Sequence, residues 1–283
     1  MAGYEQLSDY CGHGALTDPG AHFALLAGLP ADVTAICKAV QGQFLHDHFG
    51  LKLYGPAPAS YASASRKTLP IAERLDTIAR SGNGAPFAPR PPFQRMVGTC
   101  RDFALMVCAA LRHHAVPARV RCGFAAYFNP AAFEDHWICE YWLPGEGRWA
   151  LADAQLDEAH REHLQIDFDI ADLPREQFVF PWQAWQRCRA GSRDPALFGS
   201  GSIRGEGFLQ VNLARDLLSL AKQEVSDWDG WRAGTTYDQP LDERAIHQCD
   251  RLAELAEAAA GLVPPDRTDD DIQALLSRPP WQG

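Results

Sequence analysis

The segment Gln94–Leu156 limits the folds open to this chain more than any other, because its hydrophobic period changes within it. From Cys100 to about His114, Phe103, Val107 and Leu111 recur at helical spacing, and Pro117 stops the helix because the residue before a proline disfavours helical geometry. A strand follows over Ala118–Phe124, in which Val120, Cys122 and Phe124 alternate with Arg119 and Arg121. Two more strands, Asp135–Leu143 and Arg148–Ala152, flank a turn holding Pro144 and Gly145. One helix and then three strands predict an α+β domain, with the helix packed on an antiparallel sheet.

The start of that helix carries chemistry. In Val97-Gly-Thr-Cys-Arg-Asp-Phe103, Thr99 followed three residues later by Asp102 matches a capping box. Cys100 then occupies the first helical position, where unpaired N–H groups and the helix dipole favour a thiolate, the nucleophilic form. The bland alternative is a buried structural thiol, the commonest state of free cysteine. Gly98 gives room for close approach of a substrate backbone. Arg101 is a candidate substrate contact, and Asp102 is read as a cap.

A nucleophilic thiol needs a base, and the base needs a group to orient it. His136, opening the second strand in Glu134-Asp-His-Trp, is the candidate base; Asp153, closing Arg148-Trp-Ala-Leu-Ala-Asp, is the candidate orienter, with Asp157 as a nearby competitor. A hairpin with loop Leu143–Glu146 sets Trp142 opposite Gly147 and His136 opposite Asp153. Directly opposed residues share a face, with Cβ atoms about 4.5–5.5 Å apart, and a one-residue slip would separate them.

The flanks read as helical. Candidates are Ala31–His48 and Leu69–Arg80 before the core, then Pro181–Arg189, Phe208–Val225, Pro240–Ala260 and Asp266–Ser277 after it. The Gly- and Pro-rich run Gly82–Pro92 marks a boundary. Three segments are therefore expected: 1–92, helical and packed on the core; 93–165, the catalytic core; and 166–283, a mainly helical layer over the cleft. Trp137 and Trp182 are candidates for the cleft wall; Trp185, Trp228 and Trp231 are read as packing aromatics.

The net charge of −10 argues against a nucleic-acid partner, since phosphate binding needs a basic surface. No run approaches the roughly 18 apolar residues that span a bilayer, and the amino terminus lacks the basic and apolar regions of a signal peptide. The eight cysteines include no Cys-x-x-Cys pair, which fits free thiols in a cytoplasmic protein better than zinc ligands or disulfides. His160 and His163 lack acidic or thiol partners at metal-site spacing, so neither metal nor cofactor is expected. His113-His114 reads as a solvated helix end. Cys108, Cys122 and Cys139 read as core.

These motifs together resemble the transglutaminase-like superfamily, whose core is papain-like. The family pattern runs Gly-x-Cys-Arg-Asp, Pro-Ala-Arg, His before a strand with Trp and Glu, then Trp-x-x-x-Asp. This chain has Gly98-Thr-Cys-Arg-Asp102, Pro117-Ala-Arg119, His136-Trp137 with Glu140, and Trp149-Ala-Leu-Ala-Asp153. Further on, Arg215-Asp216, Lys222-Gln-Glu224 and Trp228-Asp-Gly-Trp231 resemble a bacterial branch of the family. The resemblance implies a Cys100–His136–Asp153 triad acting on an acyl donor (a peptide, small molecule or carrier-bound thioester), with an amine or water as acceptor.

Two departures bear on the site. His136 and Trp137 are adjacent, where many members have one residue between them. The eukaryotic cross-linkers carry a tryptophan upstream of the cysteine, whereas the first tryptophan here is Trp137. Oxyanion donors are then sought in the Cys100 N–H and in Gln94, whose six-residue spacing resembles the oxyanion glutamine of papain. An amine acceptor makes the protein an amide-forming acyltransferase, and water makes it a peptidase or amidase. The rival of another class is a binding protein that keeps the fold without catalysis.

Overall fold

A computed structural model describes residues 7–62, 70–81, 84–225 and 240–261, together with 270, 273 and 274. Trp228, Trp231 and most of the expected helix Asp266–Ser277 lie outside the described residues. Among the described residues, no helix is long and apolar enough to cross a membrane.

The expected helix Ala31–His48 is divided. Helix α1 (Val33–Gln41) begins on Asp32, whose Oδ1 accepts the Ala35 N–H at 2.8 Å, and ends at Gly42. Strand β1 (Phe44–His46) and helix α2 (Asp47–Tyr54) follow. The cause is tertiary: β1 pairs in parallel with β2 (Met96–Gly98), setting Phe44 against Met96 and His46 against Gly98. Helix α3 (Ile71–Arg80) starts after Pro70 and buries Ile71, Leu75 and Ile78.

Helix α4 (Cys100–His113) is the centre of its layer, with every residue from Arg101 to Arg112 buried. A left-handed Ala115 (φ 56°) ends it. The Val116 N–H reaches the Leu111 carbonyl and the Ala115 N–H reaches the Arg112 carbonyl, each at 3.0 Å, which is a Schellman stop just before Pro117. His113 and His114 are not a solvated end. The His113 ring packs on Phe23 with centroids 4.3 Å apart, and His114 Nε2 meets the Leu29 carbonyl at 2.9 Å.

Strands β3 (Ala118–Ala125), β4 (Phe133–Leu143) and β5 (Arg148–Ala152) form where expected. The β4–β5 register differs from the expected one. Trp142 pairs with Trp149 and Leu143 with Arg148, so the turn is Pro144–Gly147, with Gly147 at φ +63°. The ladder ends at Cys139 opposite Ala152, and Asp153 turns away to give its N–H to the Ile170 carbonyl at 2.8 Å. His136 is therefore not set directly opposite Asp153. The offset of two residues keeps every β4 side chain on the face expected, as an offset of one would not.

Beyond β5 come α5 (Glu158–Leu164), β6 (Phe178–Val179), α6 (Pro181–Arg189), β7 (Phe198–Ser200), β8 (Ile203–Arg204), α7 (Glu206–Leu220) and α8 (Glu243–Ala259). The chain forms two compact units, and they do not follow the three consecutive segments read from sequence. The first unit comprises Ser8–Val120 and Ile138–Pro174; the second comprises residues 121–137, 175–225 and 240–261. In the second, β6 pairs with the end of β3, β7 runs parallel to the start of β4 and pairs with β8, and Trp185, Phe208, Leu217 and Leu252 join α6, α7 and α8 in one core.

Each unit holds a buried arginine of β3. In the first, Arg119 Nε donates to Glu140 Oε2 at 2.7 Å, with its guanidinium 3.9 Å from the Trp149 ring centroid and 5.2 Å from that of Tyr10. In the second, Arg121 makes a two-point contact with Asp216, at 2.8 and 2.7 Å, and lies 4.0 Å over Phe180. Both arginines are fully buried, so the alternation read from sequence is not one of apolar and solvated faces. A buried charge that loses its partner is far more costly than a pair replaced as a whole. Asp216→Asn and Arg121→Met should each lower stability by about 3–5 kcal/mol, measured by urea unfolding, while the double change Arg121→Met with Asp216→Leu should recover most of the loss.

Candidate active site

The first turn of α4 is built around one carboxylate. Asp102, fully buried, turns Oδ2 back to accept the Thr99 N–H at 2.8 Å and the Thr99 hydroxyl at 3.2 Å. Its Oδ1 accepts from Arg74 Nε at 3.0 Å and Nη2 at 2.7 Å, which ties α3 to the start of α4. Burial pushes the Asp102 carboxyl above its ordinary range, and Arg74 and the Thr99 N–H oppose that rise. The Thr99–Asp102 cap read from sequence is therefore made through Asp102, with Arg74 as a partner that the sequence did not reveal.

Gly98 lies tight against this arrangement. A Cβ there would come within 3.1 Å of the Asp102 Cβ, Cγ and Oδ2. The space read from sequence as room for a substrate backbone is space for the capping carboxylate. Cys100 opens α4 half-buried, while Cys37, Cys108, Cys122, Cys139 and Cys249 are buried. Arg101 is buried, 2% exposed. Gln94 is exposed, in a one-turn helix (Pro92–Gln94) separated from Cys100 by the whole of β2.

His46, opposite Gly98 in the β1–β2 pair, brings a further ring to the same helix start. It lies 6.5 Å, centroid to centroid, from Phe103. Its Nδ1 accepts the His48 N–H at 3.1 Å, which leaves the ring proton of the neutral form on Nε2.

Asp153 is also in the first unit, 1% exposed, and its Oδ1 accepts the Gln155 N–H at 2.9 Å. The competing carboxylate, Asp157, is committed elsewhere. It caps α5, and its Oδ1 accepts from His160 Nδ1 at 2.7 Å. Its Oδ2 accepts from the Tyr54 hydroxyl and from Arg95 Nη1 (3.2 Å). Burial alone would raise the Asp157 pKa, but the bonds from His160 and Tyr54 outweigh it and hold the carboxyl at about 2. His163 is exposed, and no cluster of three or more metal-ligating side chains occurs among the described residues.

His136 and Trp137 belong to the second unit, as does Trp182. His136 is 2% exposed, with Phe128 and Tyr127 edge-on to its ring at 4.9 and 6.0 Å. Trp137 is buried, and half-buried Trp182 packs on the α6–α8 core. Tyr127 and Phe128 sit in a turn between strands, where no periodic signal points to them.

Residues 59–154 match the family described as the Transglutaminase-like superfamily, a span that contains Cys100, His136 and Asp153. The chain is thus similar to that superfamily over this span, in a fold of mixed helix and sheet. A solved structure, the "Putative Cysteine Protease from Cytophaga hutchinsonii", is similar at 20% identity over 52% of this chain and 41% of that one, with a TM-score of 0.32. No curated protein matches the sequence.

The Asp157 cluster gives a prediction with a defined sign. A carboxyl lowered from 3.8 to about 2 contributes stability that is fully present above pH 3.8 and is lost as pH falls through about 2. That shift corresponds to about 2 kcal/mol. Asp157→Asn should lose roughly this amount in urea unfolding at pH 7, and the difference from the wild type should shrink between pH 4 and pH 2.

Proposed function

We propose that this protein is a cysteine-dependent acyltransferase that works through a thioester on Cys100, with His136 as proton carrier and Asp153 as orienter of the imidazole. The observation that carries the proposal is Cys100 itself. It is a half-buried thiol at the first position of a helix whose remaining turns are buried, within a match to a family of cysteine-dependent enzymes. Cys11 and Cys188 are also half-buried, but burial and nearby carboxylates push the Cys188 thiol up to about 11.

The chemistry is a two-stage transfer. The Cys100 thiolate attacks the donor carbonyl, and backbone N–H groups at the helix start hold the resulting oxyanion. The tetrahedral species collapses to a thioester as the leaving group departs with a proton from His136. An amine then enters, gives a proton to His136 and attacks the thioester, and an amide leaves as Cys100 returns to the thiolate. Asp153 fixes the imidazole tautomer in both stages. If water enters in place of the amine, the same steps hydrolyse the donor.

Two measurements test this reading. At pH 6.5, iodoacetamide should label Cys100 well ahead of Cys11 and Cys188, as read by peptide mass spectrometry, and His136→Ala should remove that lead. Equal labelling of the three thiols would refute the nucleophile. With p-nitrophenyl acetate, the wild type should show an acyl-enzyme burst that Cys100→Ala abolishes, and Asp153→Asn should slow turnover at least about a hundredfold. Added amines should speed decay of the acyl-enzyme; decay that no amine accelerates would make the protein a hydrolase.

A further inference from the structure

Gln155 is a buried carboxamide to which the proposed mechanism gives no role. It is 1% exposed, and neither its Oε1 nor its Nε2 meets a hydrogen-bond partner among the described residues. The main chain around it is tied down. Its N–H donates to Asp153 Oδ1 at 2.9 Å, its carbonyl accepts the Asp157 N–H at 2.9 Å, and the next carbonyl, Leu156, accepts from Gln41 Nε2 at 3.2 Å.

Leaving both ends of a buried amide unsatisfied opposes folding, and an apolar side chain of similar shape would avoid that penalty. The neighbours Ala154 and Leu156 are buried apolar residues, so an apolar residue fits the local environment. The amide is therefore better explained by a ligand than by packing. Its segment runs beside the strand that leads to the nucleophile: Arg95, immediately before β2, reaches Asp157 Oδ2 at 3.2 Å, two residues past Gln155.

The chemistry of the group names its complement. A carboxamide presents an N–H donor and a C=O acceptor in one planar fork. One residue of an extended peptide presents its N–H and C=O along a single edge, as it does when it exchanges both bonds with an opposing strand. We infer that Gln155 binds one extended residue of a peptide-like acyl donor, and that it is the specificity-determining residue that separates such donors from simple acyl groups. This rests on the reading of Cys100 as the acyl acceptor.

The test compares two esters, p-nitrophenyl acetate and the p-nitrophenyl ester of N-acetyl-alanyl-glycine, on the wild type and on Gln155→Met and Gln155→Leu. The wild type should prefer the peptide ester. Both variants should lose about tenfold in kcat/KM on the peptide ester, keep their rate on the acetate, and have a Tm equal to or above the wild type. An unchanged preference overturns the inference. So does a lowered Tm with equal loss on both esters, which marks a structural amide.

If neither ester acylates wild-type Cys100, the nucleophile reading fails by itself. Gln155 is then judged by binding alone: N-acetyl-alanyl-glycinamide should raise the Tm of the wild type and not that of Gln155→Met, and no shift in the wild type overturns the inference.

Discussion

The start of helix α4 depends on the Asp102 carboxylate. Helix α4 is buried along almost its whole length, so its first N–H groups have little access to solvent and must be organised by the protein. Asp102 closes the residue before them, Thr99, from inside the helix. It binds Thr99 with one oxygen and Arg74 with the other. The glycine at position 98 lies tight against that carboxylate, on which a Cβ would press. The conformation that presents Cys100 is thus held by a residue that need take no part in the chemistry.

A second constraint is the handling of charge in strand β3. Two of its residues are arginines in a fully buried strand, and each is neutralised by a carboxylate and covered by aromatic rings. Arg119 answers to β4 through Glu140, and Arg121 answers to α7 through Asp216. Such pairs are weak sources of net stability, but they punish any other arrangement severely. They therefore define register and helix placement more than they strengthen the fold.

The polar segment after β5 shows how a short stretch divides its tasks. Asp153 gives its N–H to Ile170 and receives Gln155, while Asp157 gathers His160, Tyr54 and Arg95. Asp157 is thereby engaged on both oxygens. Sequence spacing alone leaves Asp153 and Asp157 both available, since it does not reveal that Tyr54 and Arg95 converge on one of them.

Much of the local structure was legible because it depends on local physics. The bounds of α4, β5 and α6 follow from Thr99, from the Pro144–Gly147 turn and from Pro181, and the capping motif located Cys100. Helix ends without glycine were less legible. Ala115 and Lys222 take left-handed conformations that their side chains do not announce, and α7 stops at Leu220 although its helical pattern reads on to Val225. The split of Ala31–His48 and the two-residue register offset were hidden for another reason. A β ladder is a contract between distant segments, and β1 becomes a strand only because β2 lies beside it. The sequence by itself determined the capped helix start that carries Cys100, the order of one helix and three strands in the central segment, and the motif pattern around them. The tertiary structure decided how Asp157 is engaged, which glycine lies tight against the capping carboxylate and which buried amide meets no partner among the described residues, because each of these depends on atoms that no local period connects.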